Sequence, residues 1–187
     1  MKKEIKLYST IFILALSALM LSGCGAEKNM KKGEKYLAVG EYYDAATQFK
    51  RAYQRTAPKE REKRGKIALK VAFCNERINS TQKALAAYSN AIRYNQASMQ
   101  DRLSYARLLL KNGAYKQAET EFRTVLDSMP DNVLAKNGLA SAQNAPQWKK
   151  DGSRYQVKRM DVFNSRRDDY SPVLGGDQYD YLYFTST

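Results

Sequence analysis

The side chains that could do chemistry in this chain of 187 residues are two cysteines and a few clustered carboxylates. The chain has no histidine, so the commonest general base and metal ligand is missing. Asp168-Asp169, Asp177 and Asp180 lie around Gly175-Gly176, where turn formation explains them and a calcium loop would need more oxygen ligands. The sequence also lacks a nucleophile elbow, a phosphate-binding glycine loop and a cysteine pair at metal spacing. We therefore predict that the protein is not an enzyme and holds no cofactor or metal.

Cys24 follows an apolar segment near the start of the chain. Residues 2–6 are rich in lysine, and residues 7–21 are mostly apolar but too short for an ordinary membrane span. The sequence Leu21-Ser22-Gly23-Cys24 then resembles the lipobox of bacterial lipoproteins. This resemblance implies that residues 1–23 are a signal peptide, that Cys24 is acylated, and that the protein is lipid-anchored in the outer membrane, facing the periplasm. An uncleaved signal anchor with an incidental cysteine is the alternative.

The second cysteine, Cys74, lies inside a stretch with helical periodicity. A free cysteine in such a position behaves as a small apolar residue and not as a nucleophile. We therefore predict that Cys74 is buried and unreactive.

The positive charge of the chain is unevenly distributed. The net charge of the chain is +13. Residues 24–145 carry 22 basic and 12 acidic side chains, whereas residues 146–187 carry seven basic and six acidic side chains. A basic surplus gives non-specific affinity for phosphates, but no nucleic-acid-binding motif is present and an exported lipoprotein meets little nucleic acid. The charge therefore favours an acidic protein partner, or anionic lipid near the anchor, over nucleic acid or a small-molecule substrate.

The middle of the chain contains three copies of a pattern in which a small residue precedes an aromatic by four positions. The residues at these positions, each followed by a small or apolar residue three places later, are Ala45, Phe49 and Ala52; Ala84, Tyr88 and Ala91; and Ala118, Phe122 and Val125. A small residue also stands twelve places before the first alanine of each copy, at Gly33, Ala72 and Ala106. Tyr36 and Pro130 add to the pattern. The second and third copies are offset by 34 residues and the first two by 39, with the additional residues around Glu60 to Arg64.

This pattern resembles the tetratricopeptide repeat (TPR), in which pairs of helices recur every 34 residues. The resemblance covers residues 26–144 and implies an all-α TPR array of three repeats, with a capping helix from Val133 to Gln143 that packs through Leu134, Leu139 and Ala142. We therefore divide the chain into a signal peptide (1–23), a TPR domain (24–145) and a tail (146–187). Gly40, Asn79 and Gly113 are predicted to form the turn inside each repeat.

In TPR arrays the first helices of successive repeats line a concave groove, and helical spacing selects the side chains that face it. The predicted groove residues are Met30, Glu34, Lys66, Leu69, Phe73, Arg77, Leu103, Arg107, Lys111 and Asn137. They form an apolar floor with several basic groups, which suits an acidic or amphipathic peptide. The constellation that clamps a C-terminal carboxylate in one TPR subclass is absent. A solvated face, or packing on a following domain, is the alternative.

After Ala145-Pro146 the helical period stops, and residues Arg154 to Met160 and Asp180 to Thr187 read as strands. Residues Asp169 to Val173, the glycine turn and residues Leu182 to Ser186 resemble the opening of a WD40-like (PD40) propeller. A propeller needs at least four blades of four strands, so we predict an incomplete β segment in a truncated chain.

The order of lipobox, TPR array and propeller start resembles the TPR–propeller–OmpA-like lipoprotein associated with type IX secretion. The resemblance implies a non-catalytic outer-membrane scaffold that docks subunits of a secretion or envelope complex and is linked to peptidoglycan in its longer form. Two alternatives remain open. The chain could be the docking module of a propeller-containing envelope enzyme, or a TPR lipoprotein of outer-membrane protein assembly.

Overall fold

The computed structural model describes residues 25–152, 155, 158–159, 161–162, 166 and 168–186. Within them the chain forms seven helices followed by two strands. The helices are α1 (25–38), α2 (Tyr42–Arg55), α3 (Arg61–Arg77), α4 (Thr81–Arg93), α5 (Met99–Lys111), α6 (Tyr115–Ser128) and α7 (Val133–Asp151), and the strands are β1 (Asp169–Gly175) and β2 (Tyr181–Ser186). The chain divides into two compact units, one ending at Lys150 and the other beginning at Asp151. Cys24 and residues 1–23 lie outside the described residues.

The first six helices form three pairs joined by tight turns. The turns contain Gly40 and Gly113, each with φ of 78°, and Asn79 with φ of 60°. This left-handed conformation suits glycine best and asparagine next. The predicted turn positions are therefore confirmed. Successive helices pack in order from α2 to α6, which gives a linear array of helical hairpins.

Repeat-related aromatic side chains fill the spaces between the helices. Phe49 and Phe122 are fully buried and Tyr88 is 3% exposed. A Cβ atom added to Gly33 would lie 2.5 Å from the Phe49 ring, so only glycine fits this contact between α1 and α2. The other buried repeat positions are Ala45, Ala52, Ala72, Ala84, Ala91, Ala106, Ala118 and Val125. Tyr36 is half-buried against the same core. Pro130 is exposed in the turn after α6, at the end of the third repeat.

The additional residues between the first two repeats lengthen a helix instead of a loop. Helix α3 has 17 residues, whereas the equivalent helix α5 has 13. The added turn is held by Arg64, whose guanidinium donates to the carbonyl oxygen of Thr56 at 2.7 Å and lies 4.1 Å from the Tyr53 ring centroid. These interactions join the start of α3 to the end of α2.

Helix α7 differs from the predicted capping helix in its length and in its buried face. It continues through Pro146 to Asp151, so the prediction that the helical period stops at this proline is wrong. Proline removes one backbone hydrogen bond and tends to kink a helix, and here the helix goes on beyond it. The buried residues are Ala135, Gly138 and Ala142, whereas Leu134 is 55% exposed. Leu139 is half-buried against the core.

The second unit contains an antiparallel hairpin of β1 and β2. The predicted strand at the end of the chain is confirmed over Tyr181–Ser186. The pairing is irregular between Tyr170 and Val173, where Ser171 has φ of 57°. Such a bulge accommodates Pro172, which cannot donate a hydrogen bond to the ladder. Most of the predicted strand from Arg154 to Met160 lies outside the described residues, and its described residues Tyr155, Lys158 and Arg159 are not in a strand.

Candidate functional site

A groove with a volume of about 700 Å³ lies between α1 and α3, the first helices of repeats one and two. We call it the α1–α3 groove. Its lining residues are Glu27, Met30, Lys31, Glu34, Lys59, Glu60, Arg61, Glu62, Lys63, Lys66, Ile67 and Lys70. Of the predicted groove residues, the structure thus brings Met30, Glu34 and Lys66 together on one surface.

Part of the wall of this groove, five of its twelve lining residues, comes from a segment that was not predicted to face it. This segment consists of residues Lys59 to Lys63, which precede and form the added turn of α3. The signal for this wall was present in the sequence, because the spacing of 39 residues between the first two repeats places the insertion here. From the sequence, an insertion between two repeats is expected to lengthen a loop. In the structure it adds a turn to helix α3, and this turn changes which side chains face the groove.

The α1–α3 groove has a basic surplus of six cationic against four anionic side chains. Three of the carboxylates are paired: Glu34 with Lys70 at 2.8 Å, Glu62 with Lys66 at 2.5 Å and Glu60 with Lys63 at 3.9 Å. The hydrogen bond from Lys66 lowers the pKa of Glu62. Within the described part of the chain, Lys31 and Lys59 form no ion pair, and these two exposed ammonium groups remain available to an anionic ligand.

The next predicted groove residues lie further along the array, on α3. Phe73 is 39% exposed and packs edge-on against Tyr42, with ring centroids 6.1 Å apart. The guanidinium of Arg77 lies 5.2 Å from the Phe73 ring centroid, a distance at which a cation is attracted to the ring face. This exposed pair offers an apolar and a cationic contact side by side.

Two of the predicted floor residues belong to the core. Leu103 is 1% exposed and Leu69 is half-buried against the same cluster. The assignment of Leu103 to the groove is therefore wrong. Helical spacing placed it on the surface stripe, but its side chain is enclosed within the core cluster that joins the later helices, which removes it from solvent.

The last three predicted groove residues are exposed polar groups. Arg107 on α5 and Asn137 on α7 are exposed, and the Lys111 ammonium donates a hydrogen bond to the side-chain oxygen of Asn79. None of the three lines the α1–α3 groove. They extend the basic surface along the first helices of the later repeats.

The described residues include one cysteine, Cys74. They contain no group of three or more metal-ligating side chains, and none of their helices is long and apolar enough to cross a membrane. Cys74 is fully buried, and burial raises the pKa of its thiol to about 11. The prediction of a buried cysteine is confirmed, and a thiol with such a pKa is protonated at neutral pH.

The sequence matches no family model. Among curated proteins it is similar to the DnaJ homolog subfamily C member 3 of Rattus norvegicus, with 27% identity over 169 residues, which are 87% of this chain and 31% of that protein. The protein of the same name from Gallus gallus is 29% identical over 127 residues, which are 65% of this chain and 24% of that protein. The chain therefore spans less than a third of the length of these relatives.

The solved structures with a similar backbone include TPR proteins. YrrB, described as a TPR protein with an unusual peptide-binding site, superimposes with a TM-score of 0.59 at 18% identity and covers 76% of this chain and 74% of its own. The fold is a TPR array. The first TPR domain of Spaghetti (RPAP3), solved with the HSP90 peptide SRMEEVD, gives a TM-score of 0.53 at 18% identity and covers 67% of this chain and 95% of its own. The predicted fold class, a TPR array followed by a short β segment, is confirmed.

Proposed function

We propose that this protein is a non-catalytic scaffold that binds an acidic or amphipathic segment of a partner protein in the α1–α3 groove. The observation that carries the proposal is a groove of about 700 Å³ between the first helices of a TPR array, with more cations than carboxylates in its walls. Apolar contact comes from Met30, and Lys31 and Lys59 supply charge that is not neutralised by an ion pair. A short segment with alternating acidic and apolar side chains complements both.

The similarity to peptide-binding TPR structures supports this ligand class. The peptide bound to the Spaghetti domain, SRMEEVD, carries three acidic residues and one basic residue. In this chain the basic surplus of the α1–α3 groove likewise favours a ligand with a negative charge. The proposal concerns the class of ligand and not that particular peptide, since the two chains are only 18% identical.

We further propose that the scaffold is anchored in the outer membrane through acylated Cys24 and faces the periplasm. In this setting the TPR domain of residues 24–145 docks subunits of a secretion or envelope complex. The segment after α7 begins a propeller, and a longer form of the protein connects the complex to peptidoglycan. The resemblance of the N-terminal segment to a lipobox supports the anchor. A Cys24→Ser variant would test it, because it would lose incorporation of labelled fatty acid and leave the outer-membrane fraction.

Quantitative capture of envelope proteins on the immobilised chain tests the groove. Lys31→Glu with Lys59→Glu reverses two cations of the groove that form no ion pair, and we expect recovery of the partner to fall about tenfold, because each reversal replaces an attraction by a repulsion. Lys35→Glu with Lys116→Glu is the matched control, since both lysines are exposed and neither lines the groove. Equal recovery by the two variants would contradict the assignment.

A further inference from the structure

A second groove, with a volume of about 650 Å³, lies between α2 and α4. We call it the α2–α4 groove. Helix α3 forms part of both grooves but with different faces: it contributes Ala68, Val71 and Asn75 here and Lys66 and Lys70 to the α1–α3 groove. The two grooves are therefore separate surfaces of the array, and the α2–α4 groove is formed largely by second helices of the repeats.

The cations of the α2–α4 groove have no counter-charge among the residues that line it. Lys50 and Arg51 project from α2 and Lys83 from α4, and all three are exposed. No aspartate or glutamate is among the lining residues. Within the described residues the three side chains make no ion pair and no hydrogen bond. This differs from the α1–α3 groove, where three carboxylates are paired with lysines.

The floor of the α2–α4 groove is apolar and made of short side chains. Ala46 on α2, Ala68 on α3, and Ala86 and Ala87 on α4 contribute to it. Alanines leave space between two helices that larger residues would fill. Tyr43, which is 67% exposed, lies at one end. The groove therefore combines an open apolar floor with cations on both walls.

We propose that the α2–α4 groove is a second binding site, which takes a short acidic segment of a partner protein. Apolar side chains of the segment occupy the alanine floor, and its carboxylates pair with Lys50, Arg51 and Lys83. The lining residues of α2 extend from Tyr43 to Gln54, which is about 16 Å at 1.5 Å per residue. An extended segment of about five residues spans that length. The concave apolar floor between the cations favours a peptide over a lipid headgroup, which needs only charge.

The experiment uses the purified full chain and a fluorescein-labelled peptide of four glutamates alternating with four leucines, with fluorescence anisotropy as the measurement. All titrations are made in the K31E/K59E background, so that binding in the α1–α3 groove does not contribute. We expect K50E/R51E/K83E to weaken binding of this peptide by about tenfold or more. Ala86→Trp, which fills the floor without changing the charge, should weaken it by about threefold or more.

Two controls make the result specific. K28E/K35E/K116E changes the net charge by the same amount at exposed lysines that line neither groove, and we expect it to leave the affinity within about twofold. Circular dichroism of every variant should show unchanged helicity. Since Ala86 and the three cations are all exposed, their replacement leaves the core intact.

Several outcomes would overturn the proposal. An equal loss of affinity in K28E/K35E/K116E would mean non-specific attraction to a basic protein, and no loss in either groove variant would mean that the peptide binds elsewhere. Sedimentation with phosphatidylglycerol vesicles that requires Lys50, Arg51 and Lys83, without peptide binding, would assign the surface to lipid. Self-association that Ala86→Trp abolishes would assign it to a second copy of the chain. None of these results bears on capture through the α1–α3 groove, which is measured separately.

Discussion

The ring of Phe122 on α6 lies against Gly138 on α7 so closely that a Cβ atom at position 138 would overlap it. Gly138 is buried and Phe122 is fully buried. The same relationship joins Phe49 and Gly33 in the first repeat. Helix α7 thus packs on the third repeat through a close contact between the Phe122 ring and the backbone of Gly138, which only glycine allows.

We predict that Gly138→Val lowers the free energy of unfolding by about 1–3 kcal/mol, because the added methyl groups force the Phe122 ring out of its position. Chemical denaturation of the variant and the parent chain measures this difference.

The control is Ala140→Val on the same helix. Ala140 is exposed, so its replacement changes little except the intrinsic helix propensity, by less than about 0.7 kcal/mol. If Gly138→Val cost no more than Ala140→Val, the close packing of α6 on α7 would be contradicted.

A second prediction concerns Arg64, which joins the added turn of α3 to the end of α2. Arg64→Ala removes the hydrogen bond to the Thr56 carbonyl and the contact with the Tyr53 ring. We expect a loss of about 1–3 kcal/mol in the free energy of unfolding. Arg107→Ala, at an exposed arginine of α5, is the control and should change stability by less than about 0.5 kcal/mol.

Arg64→Ala has a second readout at Tyr94. Hydrogen bonds with Tyr53 and Arg64 lower the pKa of the Tyr94 hydroxyl. The loss of Arg64 should therefore move that pKa upwards, which NMR titration of labelled tyrosine detects. An unchanged pKa of Tyr94 would contradict a hydrogen bond between Arg64 and the Tyr94 hydroxyl.

Cys74 should make stability depend on pH in the alkaline range. Burial raises the pKa of its thiol from 9.0 to about 11 in the folded chain. The unfolded thiol therefore ionises first, so the stabilising contribution of the buried neutral thiol is complete below pH 9 and is lost as the pH rises towards 11. Comparing the denaturation midpoints of the parent chain and Cys74→Ala across this window isolates the effect.

The thiol of Cys74 should also resist modification. At about pH 8 a thiol reagent should react with the native chain only as fast as the chain opens, and denaturant should expose the group at once. Rapid reaction under native conditions would contradict the buried position.

The final prediction concerns the segment after α7. Because the two compact units divide at Lys150 and Asp151, we expect deletion of residues 153–187 to leave the melting temperature of the array within about 2 °C of the parent. A cut at residue 147 should cost more, because it removes the last turn of α7. A large loss of thermal stability on the shorter deletion would show that the tail stabilises the array.

The repeat core was predictable because its signal is local and recurs. Phe49, Tyr88 and Phe122 occupy equivalent positions four residues after an alanine, and a 34-residue period leaves few other folds. The turns at Gly40, Asn79 and Gly113 could also be predicted, because glycine and asparagine readily adopt a left-handed conformation.

The features that escaped prediction depend on interactions between elements. Gly138 lies two residues before the position that the 34-residue period makes equivalent to Gly33 and Ala106, so no alignment of repeats selects it. Leu103 has the spacing of a groove residue, yet the surrounding helices enclose it. Arg64 reads as one charge in a mixed run, whereas its role depends on two carbonyl groups at the end of another helix. In each case the deciding partner belongs to another helix.

The added turn of α3 has a consequence for how a partner is aligned. An array of equal repeats looks almost the same after a shift by one repeat, so a bound peptide would have several registers of similar free energy. Helix α5 has no counterpart of the turn that begins at Arg61. The insertion therefore removes this translational degeneracy, and a ligand that contacts both the repeat surface and the added turn is fixed in a single register.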